Sequence, residues 1–188
     1  HLHITFPRLE NLQATAKLPY SKTLQPDQGE KLLFRLKVKN PRAGRGYSIQ
    51  YSYSRGDPTT AHHDQDALYL LPFEHGTKHR VTQAFHGRYT HSGQNEYAVD
   101  FEMDVGTPVY AARSGLVVEV TEDSSTSSTS TRYEQLANRV LVYHKDGTFA
   151  NYAHLKRNGA AVKAGQRVKA GDLIGYSGNT GRSSGPHL

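Results

Sequence analysis

Short stretches in which apolar and polar residues alternate constrain the fold of this chain more than any other feature of its sequence. Between residues 47 and 54, Tyr47, Ile49, Tyr51 and Tyr53 alternate with serine and glutamine, which is the period-two pattern of a half-buried strand. No extended window shows the 3.6-residue period of an amphipathic helix, and 17 glycines and 8 prolines interrupt the chain. We therefore predict an all-β fold.

Two domains are predicted from the distribution of strand and linker patterns. A small N-terminal β domain with its linker covers residues 1–66, and a larger antiparallel, sandwich-like β domain covers residues 67–188. The polar residues 55–67 are typical of a solvated connection. The His62-His63-Asp64 cluster lies within this connection, and we interpret it as part of the linker rather than as a metal site.

The first domain is predicted to contain an edge strand and a hairpin. Apolar residues near the start of residues 1–30 indicate the edge strand, which is followed by a loop. Residues 31–39 alternate in hydrophobicity and indicate a second strand. The turn residues at 40–46 predict that this strand pairs with the strand at residues 47–54.

Six short strands are predicted in the second domain, at residues 67–73, 81–85, 108–113, 116–121, 139–144 and 148–152. Ser114-Gly115 predicts a tight hairpin turn between the third and fourth of these, and Asp146-Gly147 predicts one between the fifth and sixth. The serine- and threonine-rich residues 122–135 are of low complexity and predict an exposed, mobile loop.

Charge and composition exclude several classes of function. The net charge is 23 − 17 = +6, which suits either solubility or attraction to a polyanion such as a cell-wall polymer. The basic residues are scattered and no nucleic-acid recognition motif is present, so we predict no nucleic-acid partner. The chain has no cysteine, which excludes disulfides and cysteine-ligated zinc. No stretch is long and apolar enough to predict a transmembrane segment.

Candidate metal-ligating residues precede the turn and strand at residues 106–111. His86, His91 and Asp100 lie just before this rigid element, and imidazole nitrogen and carboxylate oxygen are the ligands of hydrolytic zinc sites. Two later segments, residues 151–155 and 177–188, each carry a further histidine. We expect all three segments to converge on one site.

Three motifs in this order resemble the lysostaphin-type (M23, LytM) zinc metallopeptidases. They are VDFEMDVGTPVYAARSGLVVEV, NYAHL and VKAGQRVKAGDLIGYSGNTGRSSGPHL. The resemblance covers about residues 80–188, and the first domain resembles more weakly the β-rich N-terminal part of some bacterial members. It implies a LytM/M23 catalytic domain, a Zn²⁺ cofactor, a peptidoglycan peptide substrate, and export to the periplasm or the extracellular space.

The resemblance also implies a role for each matching residue. Asp100 matches the aspartate that ligates zinc, and His154 matches the histidine that orients water or stabilises the transition state. His187 matches the first histidine of the family's His-x-His motif and is the expected general base. The second histidine of that motif, the third zinc ligand, would follow Leu188 directly. We therefore expect the natural protein to continue beyond Leu188, and expect weak zinc binding and little activity from these 188 residues alone.

The remaining zinc ligand departs from the family pattern. The family has a histidine four residues before the aspartate, and that position here is Glu96. His91, nine residues before Asp100, is the preferred ligand, because Thr90-His91-Ser92-Gly93 looks like a displaced His-x-Gly. Glu96 and His86 stay as alternatives, since carboxylates also ligate zinc.

These residues support two functions of different classes. The first is a zinc metalloendopeptidase that cleaves the peptide cross-links of bacterial peptidoglycan. The second is a catalytically degenerate module that binds the cell wall or activates another wall hydrolase. The conserved pattern of Asp100, His154 and His187 relative to the family favours the enzyme. The sequence leaves open which peptide bond is cleaved and what the oligomeric state is.

Overall fold

The computed structural model describes residues 1–24 and 30–188. Regular structure in these residues is β-strand apart from two short 3-10 helices, so the predicted all-β fold is confirmed. They form two compact units, His1–His62 and His63–Leu188. The domain boundary predicted after residue 66 stays a prediction. No helix among the described residues has the length and apolarity that crossing a membrane requires.

The described residues of the first unit form five strands: β1 (Leu2–Glu10), β2 (Leu12–Ala14), β3 (Tyr20–Lys22), β4 (Leu36–Val38) and β5 (Gly46–Tyr53). They form a three-stranded antiparallel sheet in the order β3-β1-β5 and a separate β2-β4 pair. The strand predicted at residues 47–54 is confirmed. The edge strand predicted near the N-terminus is wrong, because β1 lies between two partners. The part of the predicted loop at residues 25–29 lies outside the described residues.

The predicted hairpin between residues 31–39 and 47–54 is also wrong, because β4 pairs with β2 and β5 pairs with β1. Asn11 explains this pairing. Its side-chain amide donates to the carbonyls of Asn40 and Ala43, and its side-chain oxygen accepts from the Asn40 N–H. The turn at residues 40–43 is thereby held against the bend between β1 and β2. The turn residues indicate where the chain reverses, but not which strand becomes the partner.

The second unit contains ten strands and both 3-10 helices in its described residues. The helices are Gly93–Asn95 and Thr131–Leu136; the strands are β6 (Val81–Gln83), β7 (Asp100–Phe101), β8 (Pro108–Tyr110), β9 (Gly115–Thr121), β10 (Ser127–Ser128), β11 (Arg139–Tyr143), β12 (Phe149–Tyr152), β13 (Arg167–Val168), β14 (Leu173–Tyr176) and β15 (Gly181–Arg182). The largest sheet has the order β12-β11-β9-β13. Three two-stranded sheets, β14-β8, β6-β7 and β10-β15, complete the unit.

The core of the second unit lies on one face of the four-stranded sheet. Val117 on β9 and Val140 and Val142 on β11 are fully buried, and they pack with Leu155 and Ile174 in one apolar cluster. Burying each such side chain contributes about 1.5–3 kcal/mol. The alternation of buried and partly exposed residues along β11 therefore fixes which face of this strand turns inward.

Two strand predictions in the second unit are wrong. Residues 67–73 form no strand, although the Leu70 N–H donates to the Ala112 carbonyl. Residues 108–113 and 116–121 form no hairpin, because β8 pairs with β14 while β9 pairs with β11 and β13. A Cβ at Gly115 would lie 2.5 Å from the Tyr143 carbonyl oxygen. This glycine therefore permits close contact with β11, instead of forming the predicted turn.

The hairpin predicted at the Asp146-Gly147 turn is confirmed as the antiparallel pair β11-β12. Asp146 holds the turn together: its carboxylate accepts from the Thr148 hydroxyl and N–H, from the Asp64 N–H and from Arg113 at 2.7 Å. Burial alone would raise the pKa of Asp146, but these hydrogen bonds outweigh it and hold the pKa well below its ordinary value. The ionised carboxylate is therefore part of the folded structure.

We expect Asp146→Ala to lower the free energy of unfolding at pH 7 by about 3 kcal/mol, because it removes the nearest carboxylate, at 2.7 Å, from a largely buried arginine whose other carboxylate partner, Asp64, lies 3.9 Å away. The pKa of Asp146 is lowered by folding, so its contribution is present above the unfolded value of about 4 and is lost as the pH falls below it. Urea unfolding of the variant and the wild type should therefore differ at neutral pH and converge in acid. Asp123→Ala, at an exposed aspartate, is the control; an equal loss there would contradict the assignment.

The serine- and threonine-rich insertion is mostly exposed, but the prediction of an exposed, mobile loop is wrong where it forms β10 and the helix Thr131–Leu136. β10 pairs in parallel with β15. The Gly181 N–H donates to the Thr126 carbonyl at 2.8 Å, and the Ser183 N–H donates to the Ser128 carbonyl at 3.0 Å. The Ser130 hydroxyl accepts from the Arg132 N–H and caps the helix Thr131–Leu136. The insertion thus lies directly beside the segment that leads to His187.

Candidate active site

Backbone pairing around β7 brings two of the candidate residues together. Asp100 begins β7 and lies opposite Gln83 of β6. On its other side, Phe101 exchanges two backbone hydrogen bonds with Leu188, at 2.9 and 3.0 Å. His187 forms isolated bridges with Glu102 and with Gly178. The segment that carries His187 therefore runs beside the strand that carries Asp100.

His91 is the predicted metal ligand that the structure brings into contact with Asp100. Its Nε2 lies 2.9 Å from Oδ1 of Asp100, with the His91 side chain 4% exposed and that of Asp100 22% exposed. Its Nδ1 lies 2.8 Å from the Ala84 carbonyl oxygen. Because a carbonyl only accepts, Nδ1 donates the hydrogen bond to Ala84, and Nε2 is the ring nitrogen that faces Asp100.

The two alternatives for this ligand have other surroundings. His86 is exposed, and its ring packs against Tyr97 with the centroids 5.5 Å apart. The His86 N–H donates to the Glu96 carbonyl at 2.7 Å, so this contact uses the backbone of Glu96 and not its carboxylate. Neither side chain contacts Asp100 within the part of the chain that the structure describes. The geometry favours His91 over both.

The two candidate catalytic histidines form a second pair. The ring centroids of His154 and His187 lie 4.4 Å apart with the ring planes at 39°. Each Nδ1 lies 2.7 Å from a backbone carbonyl oxygen, that of Thr180 for His154 and that of Gly185 for His187. Each Nδ1 therefore donates a hydrogen bond to its carbonyl, which leaves Nε2 as the ring nitrogen without a backbone partner.

The surroundings of His154 keep its ring neutral. Burial lowers the pKa of His154 below its ordinary value, and the charge of His187 lowers it further. The hydrogen bond to the Thr180 carbonyl and the negative charge of Asp100 oppose this shift without reversing it. At neutral pH, His154 is thus a proton or hydrogen-bond acceptor at Nε2.

The side chains of His91 and Asp100 fit two of the ligand positions around one zinc ion. Nε2 of His91 and Oδ1 of Asp100 lie 2.9 Å apart, so two atoms that can ligate zinc face the same place. Imidazole nitrogen and carboxylate oxygen are both zinc ligands, and a backbone carbonyl on the second ring nitrogen is a usual support for a zinc-bound histidine. Among residues 1–24 and 30–188, no group of three or more such side chains is arranged around one metal position.

Gln83 is a site residue that the sequence analysis missed. Its side-chain amide donates to Oδ2 of Asp100 at 3.1 Å and to the Thr90 hydroxyl at 2.7 Å, and its carbonyl oxygen accepts from the Tyr89 N–H. Gln83 thereby connects Asp100 to the turn that carries His91. Its only signal in the sequence is its position on the strand that pairs with Asp100.

Comparison with known proteins identifies the family. Residues 94–188, half of the chain, match the family model described as Peptidase family M23. The chain belongs to this peptidase family. The match includes Asp100, His154 and His187 and begins three residues after His91, the predicted ligand that departs from the family pattern.

Two relatives illustrate the similarity. The chain is 32% identical over 151 residues to the peptidoglycan DD-endopeptidase ShyA of Vibrio cholerae, an alignment that covers 72% of this chain and 32% of ShyA. It is 43% identical over 98 residues to the glycyl-glycine endopeptidase ALE-1 of Staphylococcus capitis, covering 52% of this chain and 24% of ALE-1. The chain thus spans a third or less of the length of these relatives.

Solved structures include a zinc-containing peptidase from Vibrio cholerae that is similar to this chain. The sequence identity is 26%, and the alignment covers 65% of this chain and 35% of that one, with a TM-score of 0.47. The family assignment rests on the sequence match.

Proposed function

We propose that the protein is a zinc metalloendopeptidase that cleaves peptide cross-links of bacterial peptidoglycan outside the cytoplasm. The observation that carries this proposal is the placement of the His91–Asp100 pair and the His154–His187 pair on neighbouring segments of an M23 domain. The names of ShyA and ALE-1 describe peptidoglycan and glycyl-glycine endopeptidases. The net charge of +6 suits an anionic wall.

In this proposal His91 and Asp100 hold the metal. Zinc, when bound, lowers the pKa of water towards neutrality and polarises the scissile carbonyl. The Ala84 carbonyl keeps the proton of His91 on Nδ1, so Nε2 is the ligating atom. Gln83 holds the second carboxylate oxygen of Asp100 and limits the rotation of that side chain.

His187 and His154 carry the proton transfers. With Nδ1–H bound to the Gly185 carbonyl, Nε2 of His187 is free to take the proton of the attacking water as general base. With its Nδ1–H bound to Thr180, neutral His154 first accepts a hydrogen bond from water. It donates to the developing oxyanion or to the leaving amine only after it has taken a proton from the attacking water, so the proton that the amine gains is one that the water lost.

A second candidate function is a degenerate module that binds the wall or activates another hydrolase. One observation favours it: two donors, and not three, meet at the candidate metal position among residues 1–24 and 30–188. The two candidates differ in what they predict for zinc content and for bond cleavage. A single set of samples therefore separates them.

The test measures zinc per chain by elemental analysis, together with release of peptides from purified peptidoglycan. Substrates with direct diaminopimelate cross-links and with glycine bridges are both used, because the relatives named above differ in their bond. We expect bound zinc and cleavage of one substrate type from the natural full-length protein, and weaker zinc binding with little cleavage from residues 1–188 alone. If the protein binds the wall but contains no zinc and cleaves neither substrate, the enzyme proposal is wrong and the degenerate module is the better assignment.

His91→Ala and Asp100→Ala are expected to weaken zinc binding by more than about 100-fold, since removal of a mere supporting partner already costs about 10- to 100-fold. Glu96→Ala and His86→Ala are the matched controls and should keep the wild-type zinc content. Zinc lost from Glu96→Ala and retained in His91→Ala would show that the first ligand is Glu96.

A further inference from the structure

The backbone of His154 requires support from its neighbours. Its φ is +60°, a left-handed conformation that is uncommon for a residue with a side chain. Such conformations persist where the surrounding structure holds them, and they cluster at functional sites. The next residue, Leu155, is fully buried. The groups that hold the Leu155 backbone therefore also set the direction of the His154 ring.

Asn138 holds Leu155 from one side. It is fully buried, its carbonyl accepts from the Leu155 N–H at 3.1 Å, and its side-chain amide donates to the Leu155 carbonyl at 3.2 Å. The same amide donates to the Ser124 carbonyl, and its side-chain oxygen accepts from the Ser124 N–H. Both ends of this side chain are thus bound to the protein, which leaves it no role in touching a substrate.

Thr180 closes the network from the other side. Its hydroxyl donates to the Leu155 carbonyl at 2.8 Å and accepts from the Asn138 N–H at 3.0 Å. Its own carbonyl accepts the Nδ1–H of His154 at 2.7 Å. These hydrogen bonds therefore form one closed network that connects Asn138, Leu155, His154 and Thr180. Within this network, the ring of His154 is the group that faces the site.

We propose that Asn138 and Thr180 are positioning residues that fix the tautomer and direction of His154. The expected effect on kcat rests on the proposed peptidase function, whereas the expected effect on the His154 tautomer does not depend on it. The network of hydrogen bonds keeps the His154 proton on Nδ1 and thereby keeps Nε2 available at the site. It also couples the insertion, through Ser124, to the same histidine.

Thr180→Val tests this with almost no change of shape. The substitution removes the hydroxyl that joins Asn138 to Leu155 while keeping the branched side chain. We expect kcat to fall by about 10- to 100-fold with little change in KM, since a displacement of about 1 Å in a reacting group can cost that much. Thr180→Ser, which keeps the hydroxyl, should recover most of the rate. Thr148→Val, which removes a hydroxyl from the Asp146 turn, is the control for a general loss of stability.

The second readout is the tautomer of His154, measured by long-range ¹H–¹⁵N NMR correlation in the folded protein. We expect the Nδ1–H form in the wild type, in Thr180→Ser and in Thr148→Val, and a mixture in Thr180→Val. If Thr180→Val does not fold, Asn138→Asp, which replaces the donating amide by an acceptor of the same shape, is measured instead.

The positioning role of Asn138 and Thr180 would be overturned if Thr180→Val kept the wild-type tautomer and rate. It would also be overturned if Thr148→Val lost as much rate as Thr180→Val. Absence of cleavage by the wild type on every wall substrate would overturn the proposed function instead. In that case the tautomer comparison still decides the role of Asn138 and Thr180. The two failures are therefore distinguishable.

Discussion

His154→Asn is expected to lower kcat on peptidoglycan by about 10²- to 10⁴-fold, the usual loss when a positioned proton-transfer group is removed. Asparagine is chosen because it tolerates the positive φ of this position better than most residues. The backbone of the site is then retained, and the loss of rate reports on the imidazole alone.

The control for this variant is His75→Asn, at an exposed histidine of the same unit, which should keep the wild-type rate. Steady-state rates of peptide release and circular dichroism spectra are recorded for both variants. A folded His154→Asn protein with the wild-type kcat would remove His154 from the proposed mechanism. Zinc content should stay unchanged in both, because His154 is not one of the proposed ligands.

Gly181→Ala is expected to have the largest effect on stability. Gly181 has a φ of +78°, and a Cβ there would lie 2.6 Å from the Cα, Cβ and N atoms of Ala137. Overpacking costs about 1–3 kcal/mol and the left-handed conformation about 1–2 kcal/mol more. We therefore expect a loss of about 2–5 kcal/mol and a fall in Tm of roughly 10 °C.

Thermal unfolding of Gly181→Ala and Gly185→Ala provides the comparison. A Cβ at Gly185 would meet no atom within 4 Å, and its φ does not lie in the left-handed region, so this variant should unfold at the wild-type temperature. Equal Tm values for the two variants would show that the close packing of β15 against Ala137 is not important for stability.

Local patterns in the sequence predicted local structure, whereas partner choice depended on distant contacts. The β11-β12 hairpin was predicted because Asp146-Gly147 specifies its turn within a few residues. The β4-β5 hairpin was not formed because Asn11, 29 residues from Asn40, binds the turn between them. The close approach of Gly115 to β11 is likewise invisible in the order of the residues.

The same distinction applies to the candidate site. Asp100, His154 and His187 were found because each lies in a short motif that matches the family, although their roles stay proposals. His91 was preferred through its neighbouring residues, and its contact with Asp100 supports that preference. Gln83 and Asn138 were missed because their importance lies in hydrogen bonds to residues 17 positions away, to Asp100 and Leu155 respectively.

The parallel pairing of β10 with β15 has a practical consequence for labelling. The cross-strand hydrogen bonds join backbone atoms, so an exposed side chain beside β10 can be replaced without removing one of them. The chain contains no cysteine, and Thr129 is exposed next to β10. A Thr129→Cys substitution therefore supplies a unique thiol for a fluorophore or spin label a few residues from the segment that carries His187. Such a probe would report the arrival of wall fragments without altering a residue of the candidate site.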